Sequence, residues 1–226
     1  FDQLESGAWQ FRGFASGGAG AVDFDSLYSS LQQFSQLSLR NVGINLHTFD
    51  GETLSLRNGL ATISNRGDML YLHANLTLAS SSEQMALSFE VSGNELADMT
   101  GQLHIELPQS DYTELLHRQT LAELSVQELL GGGSFWVQFV RGEMNEFVAQ
   151  LELDTVTLQG DSSDTLSLRD VSGTASLQRQ GAGNGWELAL SEMGLSWQQL
   201  RWSPFNVYVA FDPETSLALR ADNIDV

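Results

Sequence analysis

The chain has 226 residues, 42% of them hydrophobic, so it is long enough and apolar enough to bury a core. Its 29 acidic residues outnumber 10 basic ones and give a net charge of −19, which argues against nucleic acid as a partner and against docking on anionic membranes through a basic patch. Cysteine is absent, which excludes disulfides and thiolate metal sites.

The first element predicted along the chain is a short helix. Asp25 is placed to cap it. Leu27, Leu31 and Phe34 follow at the spacing of one helical face. We expect this helix to act as a plug or end cover of a sheet rather than to form part of a helical domain.

Alternation of apolar and polar residues then dominates the chain and predicts strands with one dry face. The clearest run covers residues 70–78, and the same period recurs in residues 85–91, 103–107 and 207–211. Turn-forming residues separate these runs. The predicted fold is therefore mainly β: a long, curved antiparallel sheet, a groove-like meander of repeated β units with two short helices.

The second helix is predicted to begin at Asp111, where Glu114 completes a variant of the capping box. A glycine run at residues 131–133 then indicates either a boundary or a bend. Because a strand pattern resumes at once without a polar linker, we favour a bend inside one continuous sheet. Residues 1–226 are accordingly expected to form one elongated β domain, a fragment of a larger protein.

A short motif occurs twice and suggests an internal repeat. Residues 54–59 and 166–173 share the pattern Leu-x-Leu-Arg followed by Asn or Asp, and each precedes another alternating strand. This arrangement is typical of a repeated β unit.

Motifs of catalysis and metal binding are missing from the sequence. The four histidines form no metal-ligand pattern, and neither a nucleophile elbow nor a phosphate-binding loop occurs. Asp161 and Asp164 lie in a Gly-Ser loop that fits a solvated turn better than a calcium site. We therefore expect a protein that is not an enzyme and that uses no cofactor and no metal.

The apolar faces of the strands are too numerous for two short helices to cover. The sheet can fold on itself and fill its core, or it can curl and leave an apolar trough for a ligand. An acyl chain suits such a trough, because it needs no hydrogen bonds from the wall. The candidate residues that line a lipid groove are the apolar positions of the clearest strands: Leu72, Leu76, Leu87, Phe89, Leu103 and Ile105.

Short blocks spread over most of the chain resemble those of one family. In chain order they are Gly7-Ala8-Trp9-Gln10-Phe11-Arg12-Gly13, Leu27-Tyr28-Ser29-Ser30-Leu31, Leu37-Ser38-Leu39-Arg40-Asn41-Val42, Leu54-Ser55-Leu56-Arg57-Asn58-Gly59-Leu60, Gly101-Gln102-Leu103-His104-Ile105-Glu106-Leu107, Gly132 through Trp136-Val137, Leu151-Glu152-Leu153, Gly173, Gly185-Trp186-Glu187-Leu188 and Leu195-Ser196-Trp197. In order and spacing they resemble the amino-terminal periplasmic segment of YhdP-type proteins, in the AsmA-like group.

This resemblance implies a parent protein that one amino-terminal helix anchors in the bacterial inner membrane. It also implies a long β structure that crosses the periplasm and holds or conducts phospholipid between the inner and outer membranes. Phospholipid acyl chains would then be the partner, and other envelope proteins are further candidates. This chain lacks the anchor and the distal part, so it is expected to hold a stretch of groove or its closed end.

Two other functions stay open on the sequence alone. A structural module for outer-membrane biogenesis would bind envelope proteins by a sheet edge and have no lipid site of its own. A carbohydrate-binding β-sandwich would display tryptophans on its surface. The five tryptophans are dispersed among strand patterns, which favours core packing over sugar stacking.

Overall fold

The computed structural model describes eleven stretches of the chain, residues 2–3, 9–10, 24–47, 53–78, 83–93, 95–113, 120–121, 124–160, 165–180, 185–212 and 216–222. Their regular elements are β1 (Asp2–Gln3), β2 (Trp9–Gln10), α1 (Phe24–Gln32), β3 (Gln36–His47), β4 (Thr53–Arg66), β5 (Met69–Leu78), β6 (Gln84–Ser92), a 3₁₀ helix (Leu96–Asp98), β7 (Thr100–Asp111), β8 (Thr120–Leu121), β9 (Leu124–Val140), β10 (Glu143–Gln159), β11 (Thr165–Arg179), β12 (Trp186–Trp197), β13 (Leu200–Asp212) and β14 (Ser216–Asp222). The prediction of a mainly β fold is confirmed.

The chain divides into two compact units. The first unit comprises Phe1–Ile105 with Phe139–Glu143, and the second comprises Glu106–Gln138 with Met144–Val226. Strand order is β7-β6-β5-β4-β3-β1-β2 in the first unit and β14-β13-β12-β11-β10-β9-β7 in the second. Pairing between sequential strands such as β3 and β4, β4 and β5, or β11 and β12 is antiparallel, which confirms the predicted meander. The short contact between β1 and β3 is parallel.

Residues 131–133 lie inside β9, which continues beyond them to Val140. The division between the two units falls elsewhere, at Ile105 and on either side of Phe139–Glu143. The description of residues 1–226 as one elongated domain stays a prediction.

Helix α1 confirms the first predicted helix, but its start and its buried residues differ from the prediction. It begins at Phe24, so Asp25 lies within its first turn instead of preceding it. Phe34 lies beyond the end of the helix and is exposed, whereas Tyr28 is buried. The buried face of α1 therefore includes Tyr28, an amphipathic residue that the predicted series of apolar positions did not contain.

The second predicted helix lies, beyond Thr113, outside the described residues. At its expected start, the Thr113 N–H donates a hydrogen bond of 2.9 Å to Oδ1 of Asp111. An aspartate that precedes a helix makes this kind of contact.

Among the described strands, four residues other than glycine have left-handed φ angles. They are Asn41 (57°) in β3, Asn58 (54°) in β4, Asp170 (51°) in β11 and Glu192 (54°) in β12. Each coincides with a shift of register against a neighbouring strand. Each is therefore a β-bulge, in which one extra residue displaces the alternation by one position.

The bulges keep the apolar residues of a strand on one face. Leu168 and Val171 are three residues apart, so an unbroken strand would point them to opposite faces. With the bulge at Asp170 between them, Leu168 packs against the buried cluster of Val171, Met193 and Phe205.

The repeated sequence motif marks three of the four bulges. Besides residues 54–59 and 166–173, it occurs a third time at residues 37–41, so Asn41, Asn58 and Asp170 each stand directly after Leu-Ser-Leu-Arg. Asn and Asp adopt left-handed φ more readily than other side chains. After Asn58, Gly59 permits close packing, since a Cβ there would lie 2.6 Å from Cδ2 of Leu76.

We predict that Asn58→Val lowers the free energy of unfolding by about 1–2 kcal/mol, because a β-branched residue is strained at left-handed φ. Urea denaturation measures the change. Asn58→Gly is the control and should leave stability nearly unchanged, since glycine adopts this conformation freely. Equal losses in both variants would show that the Asn58 side chain, and not its backbone angle, matters.

Candidate functional site

Strand β5 separates apolar from polar side chains. Leu76 and Leu78 are 5% and 1% exposed, whereas His73 and Asn75 on the other face are exposed. Directly opposed residues of paired strands share a face. The register therefore extends the apolar side of β5 onto both neighbouring strands.

The pairing brings four of the predicted groove residues together. Leu72 is paired with Phe89, and Ala74 with Leu87, across β5 and β6. On the other side, Leu72 is paired with Ile63 of β4. We call the surface formed by these residues the apolar face; its members are Ile63, Leu70, Leu72, Ala74, Leu76, Met85, Leu87, Phe89 and Val91.

The last two predicted residues lie on β7, which is next to β6. Oγ of Ser92 donates a hydrogen bond of 3.3 Å to the carbonyl of Thr100, so these strand ends lie together. Leu103 and Ile105 are both half-buried. By alternation, both residues lie on one face of β7.

Helix α1 covers one end of the apolar face. Tyr28 belongs to the same buried cluster as Ile63, Leu70 and Val91, and Leu31 packs against that cluster. As a result, this end of the face is closed to solvent, with Val91 0% exposed.

Polar contacts fix the helix in this position. The Tyr28 hydroxyl and Nε2 of Gln32 donate hydrogen bonds of 3.2 Å and 2.7 Å to the carbonyl of Gly93. Nδ2 of Asn65 donates to the carbonyls of Leu31 and Gln32 at 2.9 Å and 3.0 Å. These carbonyls lie in the last turn of the helix, where intrahelical partners run out.

The middle of the apolar face is less covered than its ends. Leu72 and Phe89 are half-buried and pack against the cluster under α1, and Leu87 is half-buried farther along, toward the buried Leu76 and Leu78. Of the six predicted groove residues, Leu76 is thus a core residue, and the other five keep some exposure. The alternation of apolar and polar residues did not predict that Tyr28 and Asn65 help to close the end of the apolar face.

The histidines form no common site within the described residues. His47 and His73 are exposed, whereas His104 is half-buried. Within the described ranges, no group of three or more His, Cys, Asp or Glu residues could hold a metal ion. His117 and the loop of Asp161 and Asp164 lie outside those ranges.

The tryptophans are mostly packed. Trp136, Trp186 and Trp202 are half-buried, and Trp197 is 38% exposed. The rings of Trp202 and Phe205 meet edge to face at 6.0 Å. Their dispersed positions fit core packing better than a sugar-stacking platform. The structure does not describe the side chain of Trp9.

A pair of exposed groups in the second unit has shifted pKa values. The Tyr208 hydroxyl donates a hydrogen bond to Glu187 and, together with Nε2 of Gln180 at 3.1 Å, holds the pKa of Glu187 below its usual 4.5. The same hydrogen bond to Glu187 is the main reason that the pKa of Tyr208 is raised above 10.0. Because the folded-state pKa of Glu187 is the lower one, its contribution to stability is present above pH 4.5 and is lost as pH falls through the folded value.

We predict that Tyr208→Phe raises the pKa of Glu187 toward 4.5, because the charged carboxylate loses its principal donor. Carboxyl chemical shifts in a pH titration measure the change. Tyr71→Phe, in the first unit, is the matched control and should leave Glu187 as it is. An unaltered titration in Tyr208→Phe would contradict the assigned cause.

We predict that Asn65→Ala loosens α1 and lowers the free energy of unfolding by about 1–2 kcal/mol, because the last-turn carbonyls lose their donor. Urea denaturation gives the global effect, and faster amide hydrogen exchange in Phe24–Gln32 gives the local one. Asn75→Ala, on the exposed side of β5, is the control. A stability loss without faster exchange in α1 would assign Asn65 a different role.

Comparison with known proteins gives one family. A family model described as YhdP protein matches residues 12–226. No curated protein and no solved structure matches the chain. Within the described residues, no helix is both long enough and apolar enough to cross a membrane.

Proposed function

We propose that this chain, which belongs to the YhdP family of bacterial envelope proteins in the AsmA-like group, holds phospholipid acyl chains on the apolar face of its first unit. The resemblance noted in the sequence is confirmed at the level of the family. We further propose that the chain lies in the periplasm, as part of a parent protein anchored in the inner membrane. There it would take part in moving phospholipid between the two membranes.

The observation that carries the proposal is the uneven burial of the apolar face. Leu72, Leu87 and Phe89 are half-buried on β5 and β6, although their neighbours Leu70 and Val91 are fully covered. Apolar surface left in contact with water is a site where another apolar group gains by binding. An acyl chain gains about 0.8 kcal/mol for each methylene that it buries.

The proposed mechanism is passive. Acyl chains would replace water against the side chains of Leu72, Leu87 and Phe89, and no bond would be made or broken. Helix α1 fits this role as a stop, since Tyr28 and Leu31 occupy the end of the face that a chain would otherwise reach. We accordingly propose a binding and conducting module rather than an enzyme.

The test is native mass spectrometry of the protein after incubation with phospholipid vesicles. We predict that Leu87→Asp and Phe89→Asp each reduce lipid occupancy about tenfold or more, because a buried Leu or Phe side chain contributes about 1.5–3 kcal/mol. Ser88→Asp is the matched control, since Ser88 lies between them and points to the other face of β6. It should leave lipid occupancy unchanged.

Circular dichroism separates the alternatives. Lost lipid with retained β structure in Leu87→Asp supports a binding face. Unfolding of both variants, with no lipid on the unaltered protein, would favour a filled core and the structural role in outer-membrane biogenesis. Lipid bound equally by all variants would place it away from the apolar face.

A further inference from the structure

The side chains of the apolar face are not all of one size. Ala61 of β4 is paired with Ala74 of β5. The same row continues to Leu39 of β3 on one side and to Leu87 of β6 on the other. Because directly opposed residues of paired strands share a face, these four side chains lie side by side across the sheet. We call these four residues the alanine row.

Larger side chains flank the two alanines in the direction of the strands. On β5, Leu72 and Leu76 lie on the same face as Ala74, one on each side of it. They are four residues apart, or about 13 Å in an extended strand. On β4, Ile63 flanks Ala61 and is paired with Leu72. The surface is therefore lower at the two alanines than beside them, and this low part forms a furrow.

The furrow is covered in the direction of the strands and open across them. Along β5, Leu70 is 2% exposed and Leu76 is 5% exposed. Across the strands, Leu39 is 40% exposed and Leu87 is half-buried. A ligand that lies in the furrow therefore reaches solvent across the strands, past one of these two leucines.

The shape and chemistry of the furrow define what can fill it. All four members of the alanine row are apolar, so the group that binds there needs no hydrogen bonds from the wall. An α-helix is about 10 Å wide with its side chains, so it would rest on Leu72 and Leu76 without contact to Ala74. A slender hydrocarbon chain can descend between the leucines and contact the alanine methyl groups.

We infer that the furrow holds one unbranched acyl chain, which lies across β3 to β6 over Ala61 and Ala74. Three strand spacings of about 4.8 Å separate Leu39 from Leu87, so the chain is in contact with the row over about 14 Å. The inference rests on the proposed function and adds the position, the direction and the kind of chain. The two alanines determine specificity, because larger side chains there would occupy the place of the chain.

The first test is a competition for straight and branched chains. The protein is incubated with vesicles of equimolar dioleoyl- and diphytanoyl-phosphatidylcholine, which share a headgroup, and native mass spectrometry measures the bound lipid. We expect dioleoyl-phosphatidylcholine to be enriched about tenfold, because the methyl branches of the phytanoyl chain overpack a furrow that fits one chain.

Two substitutions fill the furrow. Ala61→Leu and Ala74→Leu should each lower the occupancy of dioleoyl-phosphatidylcholine about tenfold. Ala86→Leu is the matched control: Ala86 is also a half-buried alanine of a strand, but it is paired with Asn75 on the opposite face of the sheet. It should leave occupancy unchanged, and circular dichroism shows whether each variant is folded.

A measurement on the unaltered protein tests the direction of the chain and does not depend on the folding of a variant. With methyl-labelled protein, NMR detects nuclear Overhauser effects between acyl protons and individual methyl groups. A chain across the strands gives contacts to Ala61, Ala74, Leu39 and Leu87. A chain along β5 would instead give contacts that extend to Leu70, and this result would overturn the inference.

The outcomes separate the inference from the proposed function. If dioleoyl-phosphatidylcholine binds and Leu87→Asp removes it, the proposed function stands. The inference alone is then wrong if Ala74→Leu retains as much lipid as Ala86→Leu, or if the diphytanoyl lipid binds equally well. If no phospholipid binds the unaltered protein, or if Leu87→Asp retains it, the proposed function fails and the inference fails with it.

Discussion

Keeping the apolar side of a long strand in phase with the core is the constraint on which this structure depends. Successive side chains of a β-strand point to opposite faces of the sheet. An odd spacing between two apolar residues would therefore place the second one on the solvent face. β3, β4, β11 and β12 have 12 to 15 residues and contain such spacings. Their bulges absorb the odd residue, and the packing of Leu168 against Val171, Met193 and Phe205 follows from that correction.

The two units use their apolar sides differently. In the first, α1 and the contacts of Asn65 cover the end of a face whose middle keeps some exposure. In the second, Val171, Met193 and Phe205 are buried, and polar groups collect beside the bulges. The first unit thus presents an apolar surface without hydrogen-bonding groups, and the second unit has a surface with charged and polar groups beside its bulges.

Much of the strand content could be predicted from the sequence, because alternation is a local property. The runs around Leu72 and Phe89 proved to be strands, and the first helix was found within a few residues of its position. The pairing of Leu72 with Phe89 and Ile63 could not be derived, since alternation does not specify partners. For the same reason, Leu76 was grouped with the groove although it is buried.

The group of polar residues beside Asp170 was harder to predict than the fold. Its residues come from three strands, and serine, aspartate and arginine on alternating strands normally indicate only a solvated face. The repeated motif did contain a clue, because Asp170 stands at its last position. Only the φ angle of 51° shows that this position is a bulge and not an ordinary strand residue.

The bulges also bear on how such a chain can change in length. In a regular strand, inserting or deleting one residue exchanges the inner and outer faces of everything beyond it. At Asn41 or Asn58 one residue is already extra, so its deletion leaves the residues on either side on their original faces and opposite their original partners. Such strands can therefore gain or lose a single residue at a bulge without exchanging their faces. Alignments between distant relatives should place gaps at these bulges as well as in the turns.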